Sequence, residues 1–145
     1  MHALLLLVLA GPPVPARAPN PHLESAAWVM DATVEGKLKL DQPATLQVQV
    51  VARAGFHINE EYPNNFKTDN GGDFERTKAN VGDGITLSPC ADDASKKCTA
   101  TVRLKFTPRG SGSMLLGGIF ALGTCDKDHC LIDKIPVMVQ VDVAP

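Results

Sequence analysis

Thr101-Val102-Arg103-Leu104-Lys105-Phe106 alternates without a break: Val102, Leu104 and Phe106 point one way, and Arg103 and Lys105 the other. A period of two with one wet face is the pattern of an antiparallel strand packed on one side. The pattern recurs before and after it. Thr45-Leu46-Gln47-Val48-Gln49-Val50 places Leu46, Val48 and Val50 on one face, and Val137 to Val143 sets Val137, Val139, Val141 and Val143 against Gln140 and Asp142. Weaker strand candidates are Trp28 to Val34, Lys37 to Leu40, Gly84 to Ser88 and Ser113 to Leu122.

Turn residues separate these stretches: Asp41-Gln42-Pro43, Asn70-Gly71-Gly72-Asp73, Gly82-Asp83-Gly84 and Pro108-Arg109-Gly110-Ser111-Gly112. No segment shows a helical apolar period. About seven to nine short strands between turn clusters predict an all-β fold, an immunoglobulin-like antiparallel β-sandwich. The polar stretch from Glu60 to Asp83 is expected to be a long excursion over one end of it.

The N-terminus reads differently. Ala3 to Ala10 is an unbroken apolar run, too short for a membrane-spanning helix, and Ala16-Arg17-Ala18 follows as a small-x-small site. Residues 1–18 are therefore expected to be a secretory signal peptide cut after Ala18, although Met1 and His2 supply no Lys or Arg ahead of it. The competing reading is an apolar N-terminal strand or anchor helix. Residues 19–27 are expected to be a polar leader and residues 28–145 the domain. No other long apolar run exists, so the expected mature chain has no membrane span and is periplasmic or secreted.

At 145 residues the chain fits one domain, and it is expected to be a monomer. It is 44% hydrophobic and 21% charged, with a formal net charge of -2. That balance lacks the cationic excess a nucleic-acid surface needs.

Outside the cytoplasm, thiols tend to pair. Four cysteines allow three pairings. Their grouping, Cys90 with Cys98 and Cys125 with Cys130, makes local pairing the most economical. Cys125-Asp126-Lys127-Asp128-His129-Cys130 reads as two strand ends joined by a polar hairpin tip, with the cysteines facing each other. Directly opposed Cβ atoms stand about 4.5–5.5 Å apart, and a disulfide needs roughly 3.5–4.5 Å. Closure is therefore feasible with small adjustment. A bond closing so short a loop at an exposed tip is a plausible redox pair; the alternative is a plain staple on the last hairpin. Lys127 and protonated His129 would lower a neighbouring thiol pKa, whereas Asp126 and Asp128 would raise it. Cys90 and Cys98 read as a structural disulfide across a charged loop, with a second exchanging pair as the alternative.

The spacing of the cysteines does not match a zinc site, even with His57 or His129 added, and no cofactor is expected. A cysteine hydrolase using His57 or His129 is disfavoured by paired cysteines. Gly55-Phe56-His57-Ile58-Asn59-Glu60-Glu61-Tyr62-Pro63 follows the strongest strand, and its His beside two Glu is open to a plain ion-cluster reading.

Taken together, Gly55-Phe56-His57-Ile58 after an alternating strand and the C-terminal pair Cys125 and Cys130 resemble the periplasmic DsbD-like domains. These carry a Gly-aromatic-His-aliphatic motif and two cysteines in a strand–loop–strand setting. The resemblance covers about Trp28 to Val143. It implies an immunoglobulin-like fold and dithiol–disulfide exchange through Cys125 and Cys130. The implied partners are thioredoxin-like or DsbD-type membrane redox proteins on one side and oxidised periplasmic proteins on the other. It also implies a cap loop with an aromatic over the cysteines: Phe74 is the more cap-like, Tyr62 the second choice, with His57 and His129 shaping the site. The chain departs from the family in its cysteine gap, one residue shorter than in the best-known member, and in Leu131 where a Pro commonly follows. Cys90–Cys98 is an addition, and no membrane or thioredoxin domain accompanies the pair, so partners are expected as separate proteins. The reading from a different class is a secreted binding or scaffold module with two inert disulfides and the Glu60–Asp83 loop as its surface.

Overall fold

The computed structural model describes residues 19–69 and 72–145, and every regular element among them is a strand. The expected signal peptide, residues 1–18, lies outside the described residues, as do Asn70 and Gly71 of the expected turn. In chain order the strands are β1 (His22–Glu24), β2 (Trp28–Glu35), β3 (Ala44–Ala52), β4 (His57–Ile58), β5 (Asn65–Thr68) and β6 (Asp73–Phe74). There follow β7 (Lys78–Val81), β8 (Gly84–Pro89), β9 (Lys97–Thr107), β10 (Gly112–Cys125) and β11 (Cys130–Val143).

The alternating stretches fold as their period dictates. In β3, Leu46, Val48 and Val50 are buried, and they face Leu104, Val102 and Ala100 of β9 in an antiparallel ladder. The polar side of the same strands stays wet: Arg103 on β9 donates to both carboxylate oxygens of Glu35, at 3.0 and 2.8 Å. Leu116, Phe120 and Leu122 of β10 and Ile135 and Val137 of β11 complete the core. Each such side chain, fully buried, contributes roughly 1.5–3 kcal/mol. Phe66 meets Phe120 edge-on, ring centroids 6.0 Å apart.

The strands hydrogen-bond into one continuous sheet that closes on itself, from β9 through β4, β10, β5, β7 and β8 and back to β9. The β1–β2–β3 strip extends from β9, and β11 lies along the other edge of β10. The hydrogen bonding therefore shows an all-β sheet closing into a barrel with extra strands, where the alternation pattern predicts two separate stacked sheets. Two short segments close the ring. Gly55, at φ 86°, turns the chain after β3 so that β4 bridges β9 and β10. The polar stretch expected as an excursion supplies β5, β6 and β7, anchored by buried Phe66 and Ala79.

Two further segments differ from expectation. Within 19–27, His22–Glu24 pairs with β2 and Ala27 is buried, so the expected leader takes part in the sheet. Lys37 to Leu40 forms no strand; Lys39 makes an isolated bridge to Ala144.

Candidate functional site: the disulfide hairpin and its cleft

β10 and β11 pair without a bulge from Gly112↔Val143 to Cys125↔Cys130, so the two cysteines are the last facing pair before the turn. They form a disulfide with Cα atoms 4.0 Å apart. The turn is built by Asp126, whose backbone N–H donates to the His129 carbonyl (2.8 Å) and whose carboxylate accepts from the N–H groups of Asp128 (2.8 Å) and His129 (2.6 Å). Those two N–H groups hold the Asp126 carboxyl below its ordinary pKa. Negative charge is thus fixed one residue from Cys125, while His129 is exposed, with Nδ1 3.9 Å from the Asp126 carboxylate.

The two cysteines share one face of the ribbon but differ in access: Cys125 is 7% exposed, and Cys130 is exposed. The shelter over Cys125 comes from β4 and the segment after it. His57 pairs directly with Cys125, and Ile58 pairs with both Thr124 and Lys97. The following loop is clipped to β10 by Asn64. Its amide donates to the Asn59 carbonyl (2.9 Å), and its side-chain oxygen accepts from the Gly123 N–H (2.9 Å). Asn59 N–H donates in turn to the Gly123 carbonyl (2.8 Å). Tyr62 then packs over Gly123, two residues before Cys125. A cleft of about 430 Å³ opens beside the disulfide, with His57, Glu60, Glu61, Lys96, Cys125 and Cys130 in its lining.

Cys90 and Cys98 form the second disulfide, Cα atoms 4.6 Å apart, across the loop before β9. Cys90 is buried, and its N–H donates to the Lys96 carbonyl (2.9 Å). Within the loop, Asp93 accepts from the Ser95 hydroxyl (2.6 Å) and N–H (3.0 Å), which keep its carboxyl below the usual range. His57 and Lys96 border both the disulfide cleft and a cavity of about 140 Å³ beside Cys90–Cys98.

Of the site residues expected from the sequence, Cys125, Cys130, His57, His129 and Tyr62 come together. Phe74 does not. It pairs with Phe106 near the C-terminal end of β9, ring centroids 5.7 Å apart. Lys97, which pairs with β4, stands at the opposite end of that strand, about 30 Å away at the strand rise. The aromatic nearest the pair along β10 is Tyr62, which lies against Gly123. Sequence reasoning missed Asn64 altogether: it is 2% exposed, yet one Asn in a polar run carries no signal of burial.

Among the described residues no group of three or more His, Cys, Asp or Glu is placed to hold a metal. No protein-family model and no curated protein matches the sequence.

Proposed function

We propose that this chain is an exported thiol–disulfide interchange domain of the DsbD-like type, working through Cys125 and Cys130. The observation that carries the reading is the asymmetry of the pair: a disulfide between facing strands, with Cys125 sheltered under His57 and the Tyr62 loop and Cys130 open to solvent. A partner's thiolate attacks the Cys130 sulfur. The Cys125–Cys130 bond breaks, a mixed disulfide forms at Cys130, and Cys125 leaves as a thiolate. The partner's second thiolate then attacks its own sulfur in the mixed disulfide and releases the Cys130 thiolate. Two electrons have moved from the partner dithiol to this domain, and the reverse sequence delivers them to an oxidised protein. No cofactor is needed.

All four cysteines are paired, which suits an oxidising compartment, the periplasm or outside the cell. On this reading the β1–β2–β3–β9 strip and the β10–β11 ribbon are the two layers of an immunoglobulin-like sandwich. The Trp28 indole N–H of β2, which reaches the Asp133 carboxylate of β11 at 2.9 Å, supports that. Cys90–Cys98 serves as a structural bond, since Cys90 is buried and the loop between the two is closed by its own hydrogen bonds.

The test is equilibration with thiol redox buffers, followed by alkylation and mass mapping. A Cys125–Cys130 potential well above about -300 mV, with Cys90–Cys98 below it, supports exchange. Two potentials both below that mark return the chain to a binding module with inert bonds.

A further inference from the structure

Next to Cys130 the outer edge of β11 has no backbone partner among the described residues. Its inner edge is paired with β10 throughout; backbone pairings on the outer side occur at Met138, with Asn20, and just past the strand at Ala144, with Lys39, while β2 touches β11 through the Trp28 indole, which reaches the Asp133 carboxylate. Asn20 donates its N–H to the Met138 carbonyl and its side-chain amide to the Pro136 carbonyl, so backbone groups of the even-numbered residues face outward. The other side of the ladder agrees. Gly123, the partner of Ile132, spends its own N–H and C=O on Asn64 and Asn59, away from β11. The N–H and C=O groups of Cys130, Ile132 and Lys134 therefore point away from β10, and no described residue pairs with them.

This short edge carries exposed apolar side chains: Leu131 is 52% and Ile132 59% exposed. Ile132 shares a face with Cys130, and Leu131 lies on the opposite one. Pro136 lacks an N–H and ends the stretch, and Asn20 covers the edge from Pro136 to Met138. The open length is Cys130 to Lys134, about 16 Å of strand.

We propose that a partner protein docks here by laying an extended, cysteine-bearing segment along β11 as an added strand. This deepens the exchange reading and rests on it. The register is set by the chemistry. A residue directly opposite Cys130 on an added strand has its Cβ about 4.5–5.5 Å away, within small adjustment of mixed-disulfide distance. The partner's cysteine sits there, and an apolar side chain two residues along the same face meets Ile132. Main-chain hydrogen bonds supply the affinity, and the two exposed side chains supply the selectivity.

The probe is a capped heptapeptide, Thr-Val-Thr-Cys-Thr-Val-Thr, its copy with backbone N-methyl groups on the edge-facing amides, and a serine version that cannot exchange. The serine peptide at millimolar concentration is expected to slow amide hydrogen exchange at Ile132 and Lys134 of the intact, oxidised protein. The cysteine peptide is expected to reduce Cys125–Cys130 about tenfold faster than its N-methylated copy, the difference one or two net hydrogen bonds make. Lys134→Pro, which repeats the arrangement found at Pro136, is expected to remove that advantage and leave the rate with dithiothreitol unchanged. Equal rates for both peptides, with no protection at Ile132 and Lys134, overturn the docking strand even if dithiothreitol opens the bond. Protection without any thiol opening the bond keeps the docking strand and overturns exchange.

Discussion

Tyr62 is seated on Gly123: a Cβ added at Gly123 would stand 2.9 Å from the Tyr62 Cβ and 3.2 Å from the Asn59 Cβ. Only a residue without a side chain lets the loop lie this close to β10. Gly123→Ala is expected to lift the loop while leaving the inner face of β10 intact, at a stability cost of about 1–3 kcal/mol. With the shelter over Cys125 loosened, a small thiol gains a second point of attack beside the already open Cys130, and the share of mixed disulfide trapped at Cys125 should rise about tenfold, the factor that corresponds to roughly 1.4 kcal/mol of loop opening. An unchanged share would show that the Tyr62 loop does not limit access to Cys125.

The hairpin tip has a predictable response to acid. The N–H groups of Asp128 and His129 hold the Asp126 carboxyl below its ordinary value of 3.8. A folded-state pKa below the unfolded one adds stability that is present above the unfolded value. That stability is lost as pH falls through the folded value. The Asp128 and His129 amides should therefore keep their NMR shifts through mild acid and lose them only below the ordinary carboxylate range. In the reduced protein, Asp126→Asn removes a negative charge beside Cys125. It should move the pH dependence of Cys125 alkylation toward acid by about half a pH unit. A move toward alkali would contradict this account of the tip.

Removing the second disulfide tests its structural role. The Cys90→Ala/Cys98→Ala double variant frees a loop of sequence separation 8. The chain-entropy relation puts the loss at about 2.5 kcal/mol. Urea unfolding should show a lower midpoint, and Cys125–Cys130 should still form and still open. A variant as stable as the parent would point to Cys90–Cys98 as an exchanging bond.

Thr124, next to Cys125 in β10, is buried, and its hydroxyl has no hydrogen-bond partner among the described residues. Thr124→Val keeps the shape and removes the hydroxyl. It is expected to raise stability by about 1 kcal/mol, read as a higher urea midpoint at constant slope. A loss of stability would mean that the hydroxyl is satisfied.

Much of the sheet was legible because its long strands advertise one buried face. The alternation in β3, β9 and β11 is read directly from Leu46, Val102 and Val139 and their neighbours. The closure was not legible. It depends on β4, β5 and β7, each two to four residues long, too short for a period to declare itself. Phe66 and Ala79 lie in runs of Asn, Lys, Thr and Asp, and only pairing with β10 and β5 buries them. At the site, the facing cysteines followed from a hairpin, whereas His57 was expected beside them only through the resemblance its motif carries. The aromatic did not: Phe74 and Tyr62 sit in equally polar company, and what separates them is that Phe74 pairs with Phe106 of β9 while Tyr62 lies against Gly123 of β10. Asn64 acts through a buried hydrogen-bond clip that no local pattern encodes.

The β10–β11 ladder holds its register without help from sulfur. Sliding it by one residue would turn Phe120, Leu122, Ile135 and Val137 into water, a penalty of several kcal/mol. When the bond between Cys125 and Cys130 is open, the two thiols therefore remain face to face at high effective concentration. On the proposed exchange reading, oxidised and reduced forms would share this one scaffold, and each turnover would cost the sheet little reorganisation.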